Sequence, residues 1–218
     1  MDINQIINTN IGIPLFISIA GSRIYGTNTE TSDHDYFSLV KSNNEISNDA
    51  QSHDIINDYD IFYLPYQSIE KIQCCSNPLF IGDLVNIIYI NKSLKKFIDI
   101  NKNSLMNIAP RYTYNLTLEL IDHDFQYNNH NRILILGDIL RRFYYTGDFS
   151  QCFPVSEYCK NQIKDLRKGK TYTDQQIKDE ISFIHSNTFK DYFNSFSVNN
   201  ELHQEFYSLI CDSVKDGE

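Results

Sequence analysis

No run of apolar residues in this sequence approaches the ~18 needed to cross a bilayer, so no transmembrane helix is expected. The opening MDINQIINTN has neither a basic start nor a small-residue cleavage site, which speaks against a secretory leader and makes the cytoplasm the expected compartment. Cysteine is scarce and poorly placed for structure: Cys74, Cys75, Cys152, Cys159 and Cys211 are odd in number, include one adjacent pair and form no CxxC. That pattern points away from a disulfide framework or a zinc knuckle and toward reduced thiols. Positive charge is short as well, 19 Lys and Arg against 28 Asp and Glu, for a net charge of -9. Broad coating of nucleic acid draws its affinity from neutralised phosphates and is therefore not expected. A local basic groove remains open, with Lys92, Lys95 and Lys96, the pair Arg141 and Arg142, and the run from Arg167 to Lys170 as candidates; solvated helix faces are the plainer reading of each.

Tryptophan is absent, yet 41% of the 218 residues are hydrophobic and 22% charged, a globular balance with length enough for one large domain or two small ones. Residues 3–8 read as a short helical lead. Residues 14–20 alternate and are rich in Phe and Ile, as a half-buried strand is, and end at Gly21. A second strand is expected over 35–40, then a polar connection, KSNNEISNDAQS, and a third strand over 58–64 closed by Pro65. Next, SIEKIQCCSNPLFIGDLVNIIY predicts two helices broken at Asn77-Pro78, because the residue before proline resists the helical region. Helices are expected over 132–145, where Ile133, Leu136, Leu140 and Phe143 recur at helical spacing and Gly147 supplies a stop, and over 156–167, 174–185 and 200–214. The expected architecture is α/β of the α+β kind, with a sheet-bearing part over 1–105 and a helical part over 106–218.

The chemistry concentrates in FISIAGSRIYGTNTETSDHDY, residues 16–36. In a strand, residues two apart share a face, so Asp33 and Asp35 are expected side by side. Two adjacent carboxylates repel unless a cation neutralises them, and oxygen-only ligands favour a hard ion such as Mg²⁺. Gly21 lacks a Cβ directly after a strand, so backbone amides can converge on a phosphate oxygen, with the Ser22 hydroxyl as a further donor. A third carboxylate from the neighbouring strand, Asp60 by preference and Asp58 as second choice, would take the proton of an attacking hydroxyl and complete a second metal site. Arg23, Arg132, Arg141, Arg142 and Lys170 are candidates to steady a triphosphate, each with a structural ion pair as the alternative.

These residues resemble the signature of the DNA polymerase β nucleotidyltransferase superfamily, a Gly-Ser after the first strand and an Asp-x-Asp on the next. GSRIYGTNTETSDHDY is similar, more narrowly, to the predicted nucleotidyltransferases associated with RNA repair. NPLFIGDL carries Asp83 where that branch usually has Glu. HNRILILGDILRRFYYTGDF resembles its His- and Arg-bearing helix ending in Thr-Gly, and LRKGKTYTDQQI its Leu-Arg-x-Gly-Lys stretch. The matches span residues 16–178. The resemblance implies a minimal nucleotidyltransferase core with a short mixed sheet, a C-terminal helical domain, two Mg²⁺ or Mn²⁺ ions, and a nucleoside triphosphate donor such as ATP. It also suggests an RNA or tRNA 3′ end as the acceptor, while an antibiotic, a second nucleotide or a protein hydroxyl would use the same three acids. By the same carry-over Asp33, Asp35 and Asp60 bind metal and Gly21 and Ser22 bind the triphosphate; Arg23, Arg132 and Lys170 are the candidates taken to bind nucleotide beside them.

Two rival readings follow from other features. His-Asp dipeptides at His34-Asp35, His53-Asp54 and His123-Asp124 raise a helical metal phosphohydrolase, against which the first pair lies on a strand, where neighbours face opposite ways. IDHDFQYNNH offers Asp122, His123 or His130 to a local metal. A silent nucleotide-binding or antitoxin-like module is the other rival, disfavoured because binding alone has no need to crowd acids.

Overall fold

A computed structural model describes residues 12–42, 52–56 and 59–215. The helical lead expected over 3–8 and the alternative acid Asp58 lie outside the described residues. Five strands form one mixed sheet: β1 (Gly12–Ile19), β2 (His34–Ser42), β3 (Ser52–Ile56), β4 (Tyr59–Pro65) and β5 (Ile87–Ile90), in the order β3-β4-β2-β1-β5. β1 runs antiparallel to both β2 and β5, β2 parallel to β4, and β3 antiparallel to β4. The aromatic and β-branched residues of LFISI, YFSLV and IFYL are those that pack well on a pleated surface.

Alternation gives the sheet two unlike faces. Phe16, Phe37 and Leu39 join the main core, and Phe62 and Leu64 pack against it, whereas Ile17, Tyr36 and Ile61 form a small cluster on the opposite face. Asp35 is two residues from Phe37, and Asp60 is two from Phe62. Both carboxylates therefore sit at the strand ends on the face that the helices cover.

Ten α-helices are found among the described residues. A single turn, α1 (Ser22–Tyr25), follows β1, and two short helices, α2 (Ile72–Cys75) and α3 (Pro78–Asp83), precede β5. The break at Asn77-Pro78 is real: the Asn77 side chain caps α3 by accepting from the Leu79 amide at 2.9 Å, with proline at the first helical position. The helix expected to run on to residue 89 stops at Asp83, and Ile87–Ile90 is strand β5 instead. Polar KSNNEISNDAQS likewise gives way to β3 at its end.

Five longer helices and two short ones complete the chain: α4 (Lys92–Met106), α5 (Pro110–Gln126), α6 (His130–Thr146), α7 (Glu157–Arg167), α8 (Asp174–Glu180), α9 (Asn187–Asn194) and α10 (Asn200–Lys215). α6 closes as its sequence predicts, with the Gly147 amide on the Phe143 carbonyl at 2.7 Å. Without tryptophan, phenylalanine fills the helical core: Phe143 stacks on Phe149 at 4.1 Å and on Phe193 at 5.1 Å between ring centroids. α10 returns to the sheet-bearing half, where Phe206 stacks on Phe97 of α4 at 5.8 Å and Ser93 bonds Ser213 at 2.7 Å. One cluster of buried side chains thus runs from Leu15 to Val214, across the expected division at 105/106. No helix among the described residues is long and apolar enough to cross a membrane, and all five cysteines are free thiols.

Candidate active site

β1 delivers the chain to Gly21 opposite the start of β2, where the Ala20 amide donates to the Asp35 carbonyl at 2.8 Å. Gly21 has φ 62° and ψ -145°, close to a region that glycine alone occupies without strain. Space also demands glycine there: a Cβ at Gly21 would stand 1.7 Å from Asp35 Oδ2. The bare turn and the acid are therefore in contact, as the two ends of the motif require.

Asp35 pairs in register with Asp60 on the adjacent parallel strand, so the two acids project to the same side at one edge of the sheet. Burial, then the charges of Asp60 and Asp33, push the Asp35 carboxyl above its ordinary value, against the pull of Arg23 and a hydrogen bond from the Ser22 amide. Asp33 lies one residue ahead of β2 and is exposed. Its place beside Asp35 is electrostatic, not that of a strand neighbour. The Ser22 amide, expected to meet a phosphate, serves Asp35 in this structure.

Arg23 packs across the same corner, its guanidinium donating to His34 Nε2 at 3.1 Å and to the Ser32 carbonyl at 3.4 Å. Acceptance at Nε2 puts the imidazole proton on Nδ1. His34 also lies edge-on to Tyr59 at 5.7 Å, while Asp35 meets Gly21. The first His-Asp pair thus points its two members at different neighbours, as alternation dictates. The side chains of His53 and Asp54 lie outside the description.

The donor set of Asp33, Asp35 and Asp60 is all oxygen, and the local excess of negative charge at Asp35 is what a hard divalent ion would offset, so the residues suit Mg²⁺ or Mn²⁺ chemically. Among the described residues, however, no group of three or more His, Cys, Asp or Glu side chains is already gathered about a metal position.

The helical cations have protein partners. Arg132 meets Asp124 at 3.2 Å without an aligned hydrogen bond, and the Asp124 side chain is only 3% exposed. Arg132 also acts on Tyr25, the last residue of α1, whose hydroxyl is pushed up by burial and by Asp83. Asp83 itself is held well above the carboxylate range by burial. His130 bonds Asp174 at 3.1 Å. Arg141 pairs with Glu180 at 3.4 Å and lies 4.3 Å over the Phe183 ring, while Arg142 holds the Pro154 carbonyl at 3.1 Å. Lys170 pairs with Asp165 at 3.1 Å and lies 4.9 Å over the Tyr172 ring. It borders a cavity of about 550 Å³ whose lining includes none of the sheet or Gly-Ser residues.

A second cavity, about 450 Å³, opens past the Gly-Ser turn, between residues 26–29 and α7, where Lys160, Lys164, Arg167 and the capping Lys168 line it together with one acid, Glu157. The Arg167 guanidinium donates to the Thr27 carbonyl. Of these four cations, sequence reasoning had marked Arg167 and Lys168; the missed signal was their three- and four-residue spacing back to Lys160.

No family model matches the chain, and no curated protein matches it. The reading of the site rests on its residues.

Proposed function

We propose that this chain is a divalent-metal-dependent nucleotidyltransferase that moves a nucleoside monophosphate from a nucleoside triphosphate to an acceptor hydroxyl, an RNA 3′ end by the resemblance described above. The observation that carries the reading is the in-register pair Asp35 and Asp60 beside a Gly21 backbone stripped of its Cβ. A purely structural strand end gains nothing from aligning two like charges, since opposed like charges destabilise a sheet.

In the proposed reaction the acceptor oxygen forms a bond to the α-phosphorus, the bond from that phosphorus to the bridging oxygen breaks, and pyrophosphate leaves with its electron pair. Asp60 takes the hydroxyl proton. Arg23 balances charge on the triphosphate from its place beyond the turn. Asp33, Asp35 and Asp60 would hold the metal, which when bound supplies Lewis-acid neutralisation of phosphate charge. Such transfers depend on positioning and charge far more than on covalent help, which suits a site built on three acids.

Incubation with each labelled ribonucleoside triphosphate and RNA or tRNA, with Mg²⁺ or Mn²⁺ and with chelator, tests this. Metal-dependent label transfer with pyrophosphate release is expected, falling about 10²–10⁴-fold in Asp60→Asn. Orthophosphate release without transfer, or full transfer by that variant, would refute it.

A further inference from the structure

Lys160, Lys164, Arg167 and Lys168 recur at offsets of 0, 4, 7 and 8, one stripe of α7, and the stripe faces residues 26–29 across a groove of about 450 Å³. The loop comes close beneath it: a Cβ on Gly26 would stand 3.1 Å from Lys160 Cε. Lys160, 24% exposed, pairs with Glu157, 82% exposed, at 2.6 Å, and a pair with one member so open to water holds charge only weakly. No carboxylate pairs with Lys164 or Lys168 among the described residues. The helix dipole accounts for cations in the last turn, but not for Lys160 near the start of the helix nor for the alignment of all four over one loop.

The groove also adjoins the candidate centre through a short chain of bonds. Arg167 holds the Thr27 carbonyl, the Thr27 amide donates to the Ser22 carbonyl at 3.0 Å, and the Ser22 amide bonds Asp35. From Lys160 to Lys168 the stripe is about 12 Å long at 1.5 Å per residue. A triphosphate is one compact group of three phosphates, whereas successive nucleotides of a single strand set separate phosphates along a path of that length, each open to neutralisation by a lysine or arginine.

We propose that this groove grips the sugar–phosphate backbone of a single-stranded RNA acceptor and leads its end to the candidate centre, an assignment that rests on the nucleotidyltransferase reading above. In a chain of net charge -9, such a local stripe confines the polyanion to one path, where an evenly basic surface would bind it anywhere.

The test is fluorescence anisotropy of a short labelled single-stranded RNA across a salt series, with wild type and Lys164→Ala/Lys168→Ala. Wild type is expected to bind with a steep salt dependence. The double variant, matched to wild type in thermal midpoint, should bind at least tenfold more weakly, with the slope of log affinity against log salt shallower by about 1.4, two phosphate contacts at about 0.7 each. Its binding of inorganic triphosphate should be unchanged. No RNA binding by wild type, an unchanged slope in the double variant, or loss of triphosphate binding with RNA binding intact would each overturn the proposal. Because the readout is binding, lysine-dependent RNA capture without transfer would sink the transferase reading and leave the groove standing. Transfer that the double variant retains in full, without RNA capture, would do the reverse.

Discussion

Asp35→Asn should make the metal-free protein more stable while destroying the proposed transfer activity. Asp35 faces Asp60 in register and also feels the charge of Asp33 from just ahead of β2; cross-strand charge pairs are worth roughly 0.2–1 kcal/mol, and between like charges the sign is unfavourable. Removing the Asp35 charge relieves both contacts, and the amide oxygen of Asn keeps an acceptor for Ser22. The net gain is about 1 kcal/mol, or a rise of about 2–4 °C in Tm for a chain of this size. The pH dependence follows with a definite sign. A carboxyl whose folded pKa lies above its unfolded value contributes stability that is complete below the unfolded value and is lost as pH rises through the folded one. The wild type should therefore exceed or match the variant in acid and fall below it at neutral pH. Bound metal reverses the order: an ion at one hundred times its Kd adds about 2.7 kcal/mol to the wild type and little to a variant missing a ligand. Thermal unfolding of both proteins with chelator and with Mg²⁺ reads the effect directly. If the variant melts below wild type in chelator, the repulsion at Asp35 is outweighed by Arg23 and Ser22, and the account of a strained acidic pair fails.

Two further perturbations probe neighbouring groups. Gly21→Ala drives a Cβ to within 1.7 Å of Asp35 Oδ2 at a positive φ. It should lower unfolding free energy in urea by about 1–3 kcal/mol and abolish nucleotide transfer, and a variant of wild-type stability would show that the turn is not fixed against the acid. Asp83, whose carboxyl burial holds well above the ordinary range, should make stability decline as pH rises from acid toward neutral and beyond, by the same sign as Asp35. Asp83→Asn should flatten that decline in urea unfolding across the pH range, and an unchanged profile would place the titration elsewhere.

The strands that carry the site were legible because each holds a dense run of Phe, Ile and Leu bounded by a breaker, Gly21 after β1 and Pro65 closing β4. β5 was not. Ile87–Ile90 is a short apolar run after a helix, and over so few residues periodicity does not separate a buried strand from another helical turn. β3 escaped because its five residues follow a polar stretch and its strand character comes from pairing with β4. Within the site, the contact of Gly21 with Asp35 and the nearness of Asp60 followed from motif order and strand adjacency. Asp33 was expected as a strand neighbour on the face of Asp35, but β2 begins only at His34, so the strand alternation behind that expectation does not apply to it. The partners of the helical cations were illegible for a different reason: Arg167 reaches back 140 positions to Thr27 and Arg141 forward 39 to Glu180, and no local pattern encodes such closures.

Those closures decide which cations are available to a polyanion. A guanidinium already committed to a carboxylate or carbonyl within the fold must break that bond to take a phosphate, and where its partner is buried the breakage strands a charge away from water. Arg132 is in that position, because Asp124 is almost wholly enclosed and has Arg132 as its opposing cation. Arg141 and Arg142 fasten α6 to α8 and to the segment before α7. Lys164 and Lys168 carry no such commitment among the described residues, and Lys160 only a pair with the exposed Glu157. Arg132, Arg141 and Arg142 thus hold the helical half together while Lys164 and Lys168 face outward, so on the proposed reading a substrate's charge should meet α7 first. The sheet side supplies the opposite sign at Asp33, Asp35 and Asp60, and the loop over residues 26–29 is the short stretch of chain where these two fields adjoin.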